Sequence, residues 1–208
     1  MNPLSRIGIT VVYTMALACI STAATILNPS FEQPTTASFV YNPVDPTGGW
    51  TFSGRSGVAV NTFFTPPPPD GNQAAFIQQY VDQPSTLSMI SQSLTGVALA
   101  PSSLTFRMAQ RPGYAADPFT VLYGSQNLGT FTPLSTAFTQ VTINFTPAAA
   151  SGALVFQSAA TTNSDLDSAI DSVGFNNAGS VPEPSSALLV LPVLALLAQA
   201  RRRRAQAR

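Results

Sequence analysis

The chain has no histidine and no lysine, and its single cysteine is Cys19. Without histidine the usual neutral-pH proton shuttle and the commonest metal ligand are missing. Nucleophiles activated in Ser-His-Asp or Cys-His arrangements go with it. Charge of either sign is scarce, at 9% of 208 residues, and it is unevenly placed. Between Ala24 and Ser180, Glu32 and seven aspartates face only Arg55, Arg107 and Arg111, a net charge of −5. Five of the nine arginines lie after Gln199. An acidic middle without lysine excludes a nucleic-acid surface, because phosphate binding needs clustered cations.

What the N-terminus does have is an address. Arg6 is followed by the apolar run IGITVVYTMALACI and then by STAA. A charged start, an apolar core and small residues make up a secretory signal peptide, here residues 1–24, with Ser21-x-Ala23 or Thr22-x-Ala24 at the cut. A lipoprotein reading would lipidate Cys19, but Ala16 stands where leucine is preferred. Signal peptidase and the secretion machinery are the partners implied, and the mature chain carries no cysteine.

Residues 25–177 lack any stretch of helical periodicity. Short alternating segments recur between clusters of Gly, Pro, Asn, Asp and Ser, the pattern of an all-β protein. In SLTFRMAQ, Leu104, Phe106 and Met108 share one face; in FTQVTINF, Val141, Ile143 and Phe145 do. FTVLYGSQNLGTF predicts a hairpin, 119–123 and 128–131, turning through Gly124, Ser125, Gln126 and Asn127. Further strands are expected at 50–53, 58–61, 74–78, 89–94, 153–158 and 169–175. About ten strands in 150 residues suit a two-sheet antiparallel jelly-roll sandwich. Residues 34–49 and 65–72 hold many of the prolines and are expected as loops, since proline cannot donate to a ladder. The run Pro66 to Pro69 is expected as a stiff external connector rather than a polyproline recognition segment.

Six phrases in order, ILNPSFEQP, GGWTFSG, DGNQAAFIQ, ISQSLTGV, LTFRMAQRPGY and SAIDSVGF, resemble the galactose-binding-like jelly-roll superfamily. The similarity is closest to carbohydrate-associated extracellular modules and covers residues 26–175. Asn28-Pro29-Ser30 replaces the usual Asn-Gly of the opening phrase, so the turn before Phe31 is expected to differ. The resemblance implies a binding rather than a catalytic tradition, although the fold alone proves no function. It also implies one structural calcium ion, with Glu32 and Asp171 at the matching positions. Independently, if Val173 and Phe175 face the core, regular alternation puts Asp171 on the same face. A carboxylate there needs a metal or an ion pair, and oxygen ligands suit calcium. An Asp–Arg pair with Arg55, Arg107 or Arg111, or a bulge turning Asp171 away, are the alternatives. Asp165 and Asp167 read as a solvated acidic loop.

Ligand binding is expected at loops on one rim of the sandwich, with Tyr41, Trp50, Arg111 and Tyr114 as candidates. Arg111-Pro112-Gly113-Tyr114 offers an aromatic face and hydrogen-bond donors in one turn, the combination a polysaccharide needs. Trp50 follows Gly-Gly into a strand and is also read as core. A glycosidase needs two carboxyl groups about 5–10 Å apart, and none of the eight acidic residues is marked by context as such a pair. No catalytic residue is assigned.

The last segment, residues 178–208, combines a linker, Val181-Pro182-Glu183-Pro184, an apolar stretch and four arginines. The apolar part, about residues 187–200, is short of the ~20 residues that a hydrocarbon core asks for. Snorkelling arginines extend it, and Arg201 to Arg204 stay cytoplasmic. This order resembles the PEP-CTERM sorting signal of Gram-negative bacteria. The resemblance implies a short transmembrane helix, transient residence in the inner membrane, and cleavage near Pro-Glu-Pro by an exosortase. Release to the cell surface or the exopolysaccharide matrix follows. Two prolines hold an extended strip that a protease can take.

Overall fold

The computed structural model describes residues 24–79, 87–159 and 165–177. The expected signal helix, the expected membrane span and the Val181, Pro182, Glu183, Pro184 motif lie outside the described residues. Among the described residues no helix is long and apolar enough to cross a membrane.

The alternating segments form strands that pair antiparallel throughout. In chain order they are β1 (Phe39–Tyr41), β2 (Thr51–Ser53), β3 (Ser56–Val60), β4 (Gln73–Gln79), β5 (Met89–Thr95) and β6 (Ser102–Gln110). Then follow β7 (Phe119–Tyr123), β8 (Gln126–Phe131), β9 (Thr139–Phe145), β10 (Ser151–Ser158) and β11 (Leu166–Asn177). A 3-10 turn, Asn61–Phe63, precedes the proline-rich connector, in which Pro68 is buried. A six-stranded sheet runs β1-β3-β4-β11-β6-β9 and a five-stranded sheet β2-β5-β10-β7-β8.

The core between them follows from the period of two. Val58, Ala75, Ile77, Phe106 and Ile170 point in from the six-stranded sheet, and Phe52, Ile90, Val121, Leu154 and Phe156 from the other. Phe106 meets Phe156 edge-on at 5.3 Å, the geometry aromatic quadrupoles prefer. Each large apolar side chain buried here contributes about 1.5–3 kcal/mol.

The opening segment is tied down rather than loose. The N–H of Leu27 donates to Gln92 Oε1 at 2.8 Å, and Gln92 Nε2 returns a bond to the Leu27 carbonyl at 2.9 Å. A side-chain amide thus replaces a strand partner. Asn28-Pro29-Ser30-Phe31 closes a turn through Phe31 N–H to the Asn28 carbonyl and drives Phe31 fully into the core.

Four expectations need correction. β1 lies inside residues 34–49, expected as a loop: Val40 and its neighbours pair with β3 despite the prolines around them. The hairpin turn holds two residues, Gly124 and Ser125, because β8 starts at Gln126; Gly124 supplies a φ of +57°. β11 starts at Leu166, so Asp167 belongs to a strand and is 2% exposed. Finally, Val173 faces the core but Asp171 does not share its side. The register shifts between Asp171 and Gly174, and Ser172 takes a φ of +52°. This bulge breaks the alternation, so Ile170 and Val173 both point inward.

Candidate functional site

The six-stranded sheet has an unusual outer face. Register places Tyr41, Gly57, Phe76, Ala169 and Ala109 in one row across five strands. Small residues here (Ala59 and Ala74 besides) leave a trough, and aromatic rings stand along it. Gly57 is required: a Cβ there would sit 1.9 Å from the Val40 carbonyl oxygen and 3.0 Å from the Phe76 ring. Phe39 and Tyr41 pack edge-on at 5.6 Å, and Tyr41 meets Phe76 at 5.2 Å.

The loop after β6 closes the trough into a pocket of about 290 Å³. Tyr114 N–H donates to the Arg111 carbonyl at 3.2 Å, with Pro112 and Gly113 (φ +83°) between them. Proline at the second position and a left-handed glycine at the third are what a type II turn demands. The turn stacks Arg111 on Tyr114, 4.2 Å from guanidinium carbon to ring centre, with Phe63 at 5.0 Å. Arg111 Nη1 donates to Asp167 Oδ2 at 3.0 Å. Gln78, the register partner of Asp167 on β4, accepts from Tyr41 Oη and donates to Asp165 Oδ1 at 2.9 Å. Tyr41, Gln78, Arg111, Tyr114, Asp165 and Asp167 therefore supply the polar groups of an otherwise aromatic cavity.

Asp167 is the electrostatic centre. Burial pushes its carboxyl up to about 7, against the hydrogen bond and charge of Arg111, with the charge of Asp165 adding to the rise. Its Oδ1 is buried and has no hydrogen-bond partner. Behind it lies Asp117, fully buried and also raised to about 7, first by desolvation and then by the charge of Asp167, against a hydrogen bond from Ser158.

Three of the four ligand-binding candidates, Tyr41, Arg111 and Tyr114, thus line one pocket. It sits on a sheet face capped by a loop, not on a loop rim. Trp50 is elsewhere: it is 3% exposed, its ring packs on Phe31 at 5.0 Å, and its indole N–H donates to the Asn28 carbonyl at 2.9 Å. Phe39, Phe63, Phe76, Gln78 and Asp167 were not singled out from sequence. The available signal was the composition of outward strand positions, where alanine, glycine and phenylalanine replace the serine and threonine of a solvated face.

Glu32 and Asp171 meet at another corner, around the segment leading into β4. Glu32 Oε1 accepts the N–H groups of Asn72 and Gln73 at 2.9 and 2.8 Å. Asp171 accepts from Ser172 and Asp70 N–H at 2.7 and 3.2 Å. Burial first, then the charges of Asp70 and Glu32, push Asp171 up to about 7 against those hydrogen bonds. Among the described residues no three His, Cys, Asp or Glu side chains are grouped as a metal ion requires. Both Asp171 oxygens and Glu32 Oε1 already accept backbone donors. The arginine that pairs with an aspartate of β11 is Arg111, and it pairs with Asp167.

No protein-family model matches the sequence, and no curated protein matches it. Solved structures do. A Lys-gingipain K2 adhesin domain superposes with a TM-score of 0.50 at 11% identity, covering 71% of this chain and 96% of that one. An arabinose-bound α-L-arabinofuranosidase, MgGH51, gives 0.50 at 13% identity, over 74% of this chain and 26% of that one. The carbohydrate-binding module TmCBM61, solved with β-1,4-galactotriose, gives 0.49 at 13% identity, covering 74% and 98%. The likeness is one of fold. The chain is a jelly-roll β-sandwich.

Proposed function

We propose that this chain is an exported, non-enzymatic module that binds carbohydrate in the outer-face pocket. The observation that carries the reading is the pocket itself. Sugars bind through aromatic faces and a few placed hydrogen-bonding groups, and Tyr41, Tyr114 and Phe76 stand beside Gln78, Arg111 and Asp165. Carbohydrate-binding modules among proteins of like fold support the same reading. The test is a glycan array probed with the full chain and with Tyr114→Ala. Retention of some glycan by the first and its loss by the second is the expected result. Equal retention by both removes the pocket from the function.

The terminal segments complete the proposal. Signal peptidase and the secretion machinery export the chain, the C-terminal apolar stretch holds it transiently in the inner membrane, and an exosortase cuts near Pro182, Glu183 and Pro184. The module then reaches the cell surface or exopolysaccharide matrix of a Gram-negative bacterium. Mass spectrometry of surface-extracted protein checks this: an intact Arg208 means permanent anchoring instead.

Two further readings have one favouring observation each. Asp165 and Asp167 both line the pocket, as a carbohydrate-active enzyme would need; release of reducing ends from a retained glycan would establish it. The charges of Asp70 and Glu32 act on Asp171, which a calcium ion at Glu32 and Asp171 would relieve. An unchanged melting midpoint with chelator removes that ion.

A further inference from the structure

We infer that the sugar taken by the outer-face pocket carries a free amino group, so that its ligand class is a cationic aminohexose polymer rather than a neutral or acidic glycan. The inference rests on the carbohydrate reading above and adds the charge of the ligand.

Three features of the pocket point the same way. Asp165 is half-buried in the lining, and its carboxylate takes one hydrogen bond, from Gln78 at 2.9 Å, which leaves acceptor capacity that a ligand can reach. A carboxylate that a ligand takes out of water must gain donors from that ligand. Next, the balance of charge is negative. Asp165 and Asp167 line the pocket, and the charge of Asp165 acts on Asp167. Arg111 is the one cation among the lining residues described, and its guanidinium is held by Asp167 and flanked by two rings. Arg55 rests over the Tyr41 ring at 5.5 Å but does not line the cavity. A uronate or sulfated sugar would meet repulsion here. Lastly, the walls are aromatic, and ring faces attract cations, most strongly where water is excluded.

A neutral hydroxyl could donate to Asp165 but would leave the charge unbalanced. An ammonium carries three donors and compensates the carboxylates while it bonds to them, forming the stronger, charge-assisted kind of hydrogen bond. N-acetylation of the same sugar removes the charge and turns a carbonyl acceptor toward acidic groups.

The experiment is equilibrium titration of the full chain with a β-1,4-linked glucosamine tetramer, its fully N-acetylated form, a glucose tetramer and tetralysine. The glucosamine tetramer is expected to bind at least about tenfold tighter than each of the others. Asp167→Asn and Asp165→Asn should each erase most of that preference. Asp165 is only half-buried, so its variant keeps the test decisive if Asp167→Asn does not fold. Tyr114→Ala should weaken every sugar alike. Equal or tighter binding of the acetylated or neutral tetramer overturns the amine inference and leaves the carbohydrate reading standing. Tetralysine binding as tightly as glucosamine overturns it too, by reducing it to bulk charge. Binding of no sugar overturns both readings.

Discussion

Asp45 and Asp167 are both buried, at 6% and 2% exposure, yet the fold treats them in opposite ways. Asp45 Oδ1 accepts Thr47 N–H and Thr47 Oγ at 2.9 and 2.7 Å; Oδ2 accepts Trp50 N–H and Asn28 Nδ2 at 2.9 and 3.2 Å. Burial would raise its pKa, but these donors outweigh it and hold the carboxyl below its ordinary value. Asp167 has one such donor and a second oxygen, buried, with none, and burial prevails. A buried carboxylate with every lone pair answered from within the fold is held ionised. One left short of donors on the wall of a cavity is pushed toward its protonated form.

The largest effect should come from Asp45→Ala. It strands the N–H groups of Thr47 and Trp50 and frees the loop that carries Trp50 into the core. A loss of about 3 kcal/mol in urea unfolding is expected, with sugar affinity per folded molecule unchanged; a loss under about 1 kcal/mol would break the contrast. Gly57→Ala comes next. Its Cβ must push the Val40 carbonyl away, detaching β1 and with it Phe39 and Tyr41. About 1–3 kcal/mol of stability should go together with most ligand binding, and binding that survives would show β1 dispensable.

The pH dependence is subtler and has a sign. Asp117, Asp167 and Asp171 titrate near 7 when folded and near 3.8 when unfolded. Between those values the native state holds more protons than the unfolded chain, so stability falls as pH rises from about 4 to about 7. Asp45 acts oppositely, losing its contribution only as pH drops below the ordinary carboxylate range. The melting midpoint should therefore peak at mildly acidic pH, and Asp167→Asn should flatten the decline toward neutrality. A midpoint rising from pH 5 to 7 would contradict the burial assigned to these groups. The smallest effect on stability belongs to Tyr114→Ala, within about 0.5 kcal/mol, even as binding is lost; a larger cost would make Tyr114 structural.

Alternation made the sandwich legible. Leu104, Phe106 and Met108, or Val141, Ile143 and Phe145, announce a face whatever they pair with. β1 was hidden because three residues among prolines carry too little pattern, and its strand character comes from pairing with β3. A bulge turning Asp171 away was one of the readings open from sequence, but nothing local at Ser172 selected it over regular alternation, since a serine at positive φ is uncommon. For the pocket, Arg111 and Tyr114 were readable because their turn is local. Asp167 and Phe76 were not, because what matters is that β4 and β11 are neighbours, a fact of topology with no local trace.

That topology also bears on force. β11 is the last strand among the described residues and lies in the middle of its sheet, laddered to β4 over five residue pairs and to β6 over eight. Whatever follows Asn177 therefore pulls on a strand held from both sides, so a tether through this end loads two ladders in shear before the sandwich can open.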